Sequence, residues 1–113
     1  MIHDTARALA REMKESPEYL AYAAAREKAM ANETNRSLIK EYHKLQLRAQ
    51  AATVAGEKTD EVMAQLQKLG ELLQFNPQAS EFLLTEFKLN RLLADVYKIL
   101  AEAIDVDLSA LEA

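Results

Sequence analysis

The chain has 113 residues, half of them hydrophobic on a broad count, with 14 basic and 18 acidic side chains and a formal net charge of −4. That length suits one domain, and the acidic balance argues against nucleic acid or a membrane surface as partner. The absence of cysteine excludes disulfides, thiolate metal sites and iron–sulfur ligation by Cys.

No apolar run approaches the roughly 20 residues that span a bilayer, and the opening MIHDTARALAREMKES lacks the apolar centre of a signal peptide. A cytoplasmic protein without membrane insertion is expected. Two Gly, two Pro and a preponderance of Ala, Leu, Glu, Lys, Gln and Arg predict an all-α fold of about five helices. Ala faces bury little area each, and no Trp accompanies the three Phe and four Tyr, so partner chains are expected to complete the burial.

The first helix is expected from Asp4 to about Lys14, with Ile2, Ala6, Leu9 and Met13 on one face. Ser16-Pro17-Glu18 reads as a restart: a side-chain cap, a proline suited to the first helical position, and an acid at the positive helix end. The second helix then runs to about Ala31 and buries Tyr19, Tyr22, Ala23 and Met30. Asn32-Glu-Thr-Asn35 offers several caps for a third helix.

In that helix Leu38, Tyr42, Leu45, Ala49 and Ala52 recur at alternating steps of four and three, a narrow heptad seam, until Gly56 supplies a left-handed stop. After GEKTD, with Thr59 or Asp60 as cap, Val62, Leu66, Leu69 and Leu73 repeat the pattern. Two narrow seams joined by a tight turn predict a long antiparallel hairpin arm, roughly residues 35–75. Gly70 lies within it, at a point where a small residue allows close helix contact.

Asn76-Pro77 opens the last helix, roughly residues 77–104. Its apolar residues cover well over half its circumference, which demands neighbours on several sides. Phe82, Phe87, Leu89, Leu92, Leu93, Val96, Tyr97 and Leu100 are the candidate self-association residues, burying this helix against a second copy in a homodimer or larger assembly. The tail DVDLSALEA is expected to fray. All 113 residues read as a single helical domain.

Signals for chemistry are sparse. Neither glycine belongs to a phosphate-cradling loop, and neither His3 nor His43 has a Glu three residues before it, as a bundle di-iron site requires. No catalytic residue, metal ligand or cofactor is assigned. His43 reads as a solvated or partly packed helix residue.

The seven aromatic residues, Tyr19, Tyr22, Tyr42, Phe75, Phe82, Phe87 and Tyr97, read as packing anchors. Arg36, Lys40, Lys44 and Arg48 form a basic stripe that could meet a partner or an RNA phosphate backbone. The plainer alternatives are pairing with Glu57, Asp60, Glu61 or Glu71 across the hairpin, or simple solvation.

The blocks ARALAREMKESPEYLAYAAAREKAMAN, LIKEYHKLQLRAQ, VAGEK and NPQASEFLLTEFKLNRLLADVYKILAEAI, in that order, resemble the YlbF/YmcA family of bacterial regulators, including its YheA-type branch. The local matches are Ser16 to Tyr19, Gln46 to Gln50 ahead of Gly56, and Asn76-Pro77. The resemblance implies a self-associating helical fold without enzymatic activity. It further implies a regulatory role in competence, sporulation and biofilm formation, exercised through ribonuclease-associated proteins in RNA processing. Members that join an iron–sulfur complex can carry cysteines near the C-terminus; this chain carries none, which sets it apart from them.

Overall fold

The structure is a computed structural model and describes residues 1–106. Five helices follow one another: α1 (Ile2–Lys14), α2 (Pro17–Met30), α3 (Glu33–Ala55), α4 (Asp60–Gln74) and α5 (Pro77–Ile104). No strand occurs among the described residues.

Local chemistry sets the boundaries. The Ser16 hydroxyl accepts from the Tyr19 amide at 3.2 Å, the Asn32 side-chain oxygen from the Asn35 amide at 3.0 Å, and the Asn76 oxygen from the Ala79 amide at 3.2 Å. Each satisfies an orphan donor of a helix first turn. Pro17 and Pro77 occupy first helical positions, where a missing amide hydrogen costs nothing.

At the end of α3, Gly56 takes φ 72°. The Glu57 amide returns to the Ala52 carbonyl at 2.9 Å and the Gly56 amide to Thr53 at 3.2 Å, closing the helix with a left-handed cap. Thr59 is the N-cap of α4 by position but makes no side-chain capping bond.

α3 and α4 form the expected antiparallel hairpin. Its outer part is zipped by Leu45, Ala49 and Val62, with Leu66 and Leu69 against them. The main core lies at the hairpin's base, where Ala25, Ala29, Ile39, Leu73, Ala79 and Phe82 meet.

Two alanines in that core explain how α2 lies so close to α5. Ala25 and Ala29, four apart, present no bulk between the backbones, and Phe82 fills the space beside them under the Tyr22 ring, centroids 5.5 Å apart. The sequence expectation for α2 favoured its tyrosines; Tyr22 is half-buried, while the alanines are the fully enclosed residues. Ile39 was likewise absent from the expected α3 seam yet is completely buried. It joins the main core with Ala25, Ala29, Leu73, Ala79 and Phe82, and the heptad residues Leu38 and Tyr42 pack against the same cluster, whereas Leu45 and Ala49 pack with Val62 farther out.

The assembly of helices is thin. Its extents are 45 × 37 × 16 Å, little more than one helix diameter of about 10–12 Å in the short direction. Its radius of gyration is 16.6 Å, against about 13 Å for a compact domain of this size. α1 buries no residue and lies against α2 alone.

Candidate functional site

A polar junction fixes the base of the hairpin. Asn35, only 5 % exposed, donates from Nδ2 to Gln78 Oε1 at 3.0 Å and accepts at Oδ1 from the Asn76 side-chain amide. Two turns on, His43 Nε2 lies 2.8 Å from Glu86 Oε1, with its ring edge toward Phe82 at a centroid distance of 6.1 Å. Asn35 to Gln78 and His43 to Glu86 have the same sequence offset of 43, as two parallel helices in fixed register require. α3 and α5 are therefore locked together at two levels.

Arg36, Lys40, Lys44 and Arg48 are all exposed. Among the described residues the ion pairs are Asp4 with Arg7 and with the terminal ammonium, and His43 with Glu86; no stripe residue forms one. Pairing with Glu57, Asp60, Glu61 or Glu71 across the hairpin is thus not made, and the stripe is solvated. Its members recur every fourth residue outside the seam.

The candidate self-association residues divide by burial. Phe82 is enclosed in the chain's own core and is unavailable to a partner, a correction to its place in that set. An edge position on α5 with two alanines opposite was enough to absorb it. Leu89, Leu92, Leu93 and Val96 are half-buried, whereas Phe87, Tyr97 and Leu100 are exposed, with the Arg91 guanidinium 6.0 Å from the Phe87 ring centroid.

Three of the seven aromatic residues are not anchors within the chain. Phe87 and Tyr97 stand on the outer part of α5, and Phe75, 87 % exposed, projects from the turn after α4. Phe75 follows the last helical residue, where no neighbouring helix lies across it.

Other residues enlarge the exposed apolar surface: Ile99 and Ile104, 66 % and 68 % exposed, with Val106 on α5's side, and Met1 and Ile2 at the start of α1. The four–three–four spacing of Ile2, Ala6, Leu9 and Met13 was the signal for the second group. That face is real and partly covered within its own chain: Leu9 and Met13 are half-buried, while Ile2 and Ala6 are exposed.

An open groove of about 840 Å³ runs along α4, lined by Tyr42, Leu66, Gly70, Leu73 and Leu83 and by Asp60 and Glu71. Among the described residues no three His, Asp or Glu side chains gather as a metal site would need. No described helix is long and apolar enough to cross a membrane.

These features define a small all-α protein with a helical hairpin and a long C-terminal helix that is apolar well beyond its own core. The family described as "Control of competence regulator ComK, YlbF/YmcA" matches residues 2–105, and the chain belongs to it. Among similar proteins are UPF0342 proteins of Symbiobacterium thermophilum, 41 % identical over 95 % of this chain and 96 % of the relative, and of Clostridium tetani, 35 % identical over 96 % and 94 %. A UPF0342 protein of Halothermothrix orenii is 31 % identical over 96 % of this chain and 92 % of its own length. The family is a regulatory one.

Proposed function

We propose that this chain is a non-enzymatic regulatory adaptor. It self-associates through the outer half of α5, and its hairpin and basic stripe contact protein partners, ribonuclease-associated regulators among them. The observation that carries this reading is the outer part of α5, where Tyr97, Ile99, Leu100 and Ile104 are exposed together on a helix of 28 residues, twice the length of α2. Such a face is costly in water and calls for a macromolecular partner. The family's regulatory description supports contact as the mode of action.

A direct RNA-binding role has one observation in its favour, the four solvated basic residues of α3. Capture of a tagged copy from native lysate, with and without ribonuclease, separates the two. Recovery of ribonuclease-associated proteins that survives removal of RNA, and is lost in the Lys40→Glu/Lys44→Glu variant, supports the adaptor. Recovery that disappears with the RNA overturns it in favour of RNA binding, and recovery of no regulatory protein at all also counts against the adaptor.

A further inference from the structure

Along the outer half of α5, Phe87, Asn90, Ala94, Tyr97, Ala101 and Ile104 recur at steps of three and four and so share one face. All are exposed except Ala101, which is half-buried. Leu89, Leu92, Leu93 and Val96, which α5 presents to another side, are half-buried, and α2 is the helix packed most extensively on α5. The hairpin's hydrogen bonds reach the α5 segment at Asn76, Gln78 and Glu86, ahead of the exposed stripe.

Each residue of the stripe is followed directly by a charge: Lys88, Arg91, Asp95, Lys98, Glu102 and, at the cap, Asp105. All six are exposed. The Arg91 guanidinium lies 6.0 Å from the Phe87 ring centroid, so the charged row borders the apolar one. Arg91 to Asp95 and Lys98 to Glu102 have the spacing of pairs along a helix. Among the described residues, however, none of the six forms an ion pair within its own chain.

The order of signs selects the cover. From Lys88 outward the row runs plus, plus, minus, plus, minus, minus, and from Asp105 inward it runs minus, minus, plus, minus, plus, plus. The row is thus complementary to itself reversed, about a centre between Val96 and Tyr97. Laid antiparallel on a second copy about that centre, Lys88 faces Asp105, Arg91 faces Glu102 and Asp95 faces Lys98. Parallel pairing in register would set every charge against itself. An antiparallel shift of one heptad sets Asp95 against Asp105 in one direction and Lys88 against Lys98 in the other. The centred register alone opposes all six charges to unlike signs.

Shape agrees with sign. The same register brings Ala94 beside Tyr97 and Phe87 beside Ile104 of the second copy, and the small Ala94 and Ala101 let the two backbones approach.

We propose that the outer half of α5 is a self-complementary zipper: in a two-fold dimer it lies antiparallel on the same segment of a second copy, in the register that pairs Arg91 with Glu102 and Asp95 with Lys98. This rests on the self-association stated above and adds the direction and register of the contact. Because the two-fold axis repeats each pair, every charge on the row is used twice in one isologous interface.

The absence of cysteine makes a crosslinking test clean. A tagged copy carrying Phe87→Cys is unfolded, refolded with an untagged copy carrying Ile104→Cys, and mildly oxidised. Both positions are exposed, so the fold tolerates the changes. A disulfide between tagged and untagged copies is the expected result, with no disulfide joining two Phe87→Cys copies. In the proposed register those two positions lie about 25 Å apart along the helix axis, beyond the roughly 7 Å that a disulfide spans between α-carbons.

A link between two Phe87→Cys copies, or a dimeric mass with no link between Phe87→Cys and Ile104→Cys, overturns the antiparallel register while leaving self-association standing. A monomeric mass for the unmodified chain overturns both. Charge reversal gives a second readout. Arg91→Glu and Glu102→Arg are each expected to weaken the dimer about tenfold at low ionic strength, the effect shrinking in salt. The double variant Arg91→Glu/Glu102→Arg is expected to recover most of the loss, since unlike signs again face each other across the antiparallel pair. A double variant no tighter than either single one also refutes the proposal.

Discussion

Replacing Asn35 by alanine tests whether the polar junction, and not apolar contact alone, holds α3 to α5. The side chain makes two bonds across the base of the hairpin, one to Gln78 and one from Asn76, from a site that is 5 % exposed. A net contribution of about 1 kcal/mol per hydrogen bond gives about 2 kcal/mol lost. Gln78 is exposed and recovers part of its bond from water, while half-buried Asn76 recovers less, so the expected destabilisation is about 1.5 kcal/mol. With a urea m-value of about 1–1.5 kcal/mol/M for a chain of this size, the midpoint falls by roughly 1 M. Urea titration followed by circular dichroism, at one fixed protein concentration, reads it directly. Comparison with Asn76→Ala and the double variant isolates the coupling, expected at about 1 kcal/mol. A midpoint shift within about 0.2 M of zero, or additive single variants, would refute the junction as a stabilising element.

Gly70→Ala is expected to stabilise by about 0.5–1 kcal/mol, since the new methyl carbon would sit 3.8 Å from Tyr42 Cε2, an ordinary contact; a lower melting temperature would show that the α4 groove needs the glycine. Gly56→Ala, with open space but φ 72°, is expected to lose about 1 kcal/mol in the same scan, and no loss would contradict the left-handed cap. Leu100→Asp is expected to halve the mass measured by light scattering without loss of helicity, because the residue is half exposed and outside the core clusters; an unchanged mass would count against the outer half of α5. For His43 and Glu86, partly exposed on both sides, a double-mutant cycle should give less than about 1 kcal/mol of coupling, declining in salt, and a larger, salt-insensitive value would mean that the pair is structurally more than a surface bridge.

Helix number, order and ends were legible in the sequence because they are set by short-range chemistry. Ser16-Pro17, Asn32, Gly56 and Asn76-Pro77 each act within one turn of the chain. The hairpin was legible for a related reason, two matching seams either side of a four-residue connection. Packing around α2 was not. Alanines carry little pattern in a chain so rich in them, and only the closeness of α2 to α5 turns Ala25 and Ala29 into core. The same closeness removed Phe82 from the exposed face. The stripe of α3 was visible as a row of charges, but whether Glu57, Asp60, Glu61 or Glu71 would reach it depends on the rotation of α4, which no local pattern encodes. Residues 107–113, the greater part of the expected frayed tail, lie outside the described residues.

The equal offset of the two polar bridges bears on how such a chain can change length. Everything between Asn35 and Asn76 leaves the base on one helix and comes back beside its starting point on another, so the hairpin is an excursion whose reach the base does not sense. Beyond Leu45 its buried core is its own zipper. Adding one heptad to each limb there would extend the tip by about 10 Å and restore the seam in phase. The footing at Asn35, Asn76 and Phe82 would be untouched. The distance at which the tip operates is thus an adjustable dimension, separable from the part of the molecule that keeps it folded.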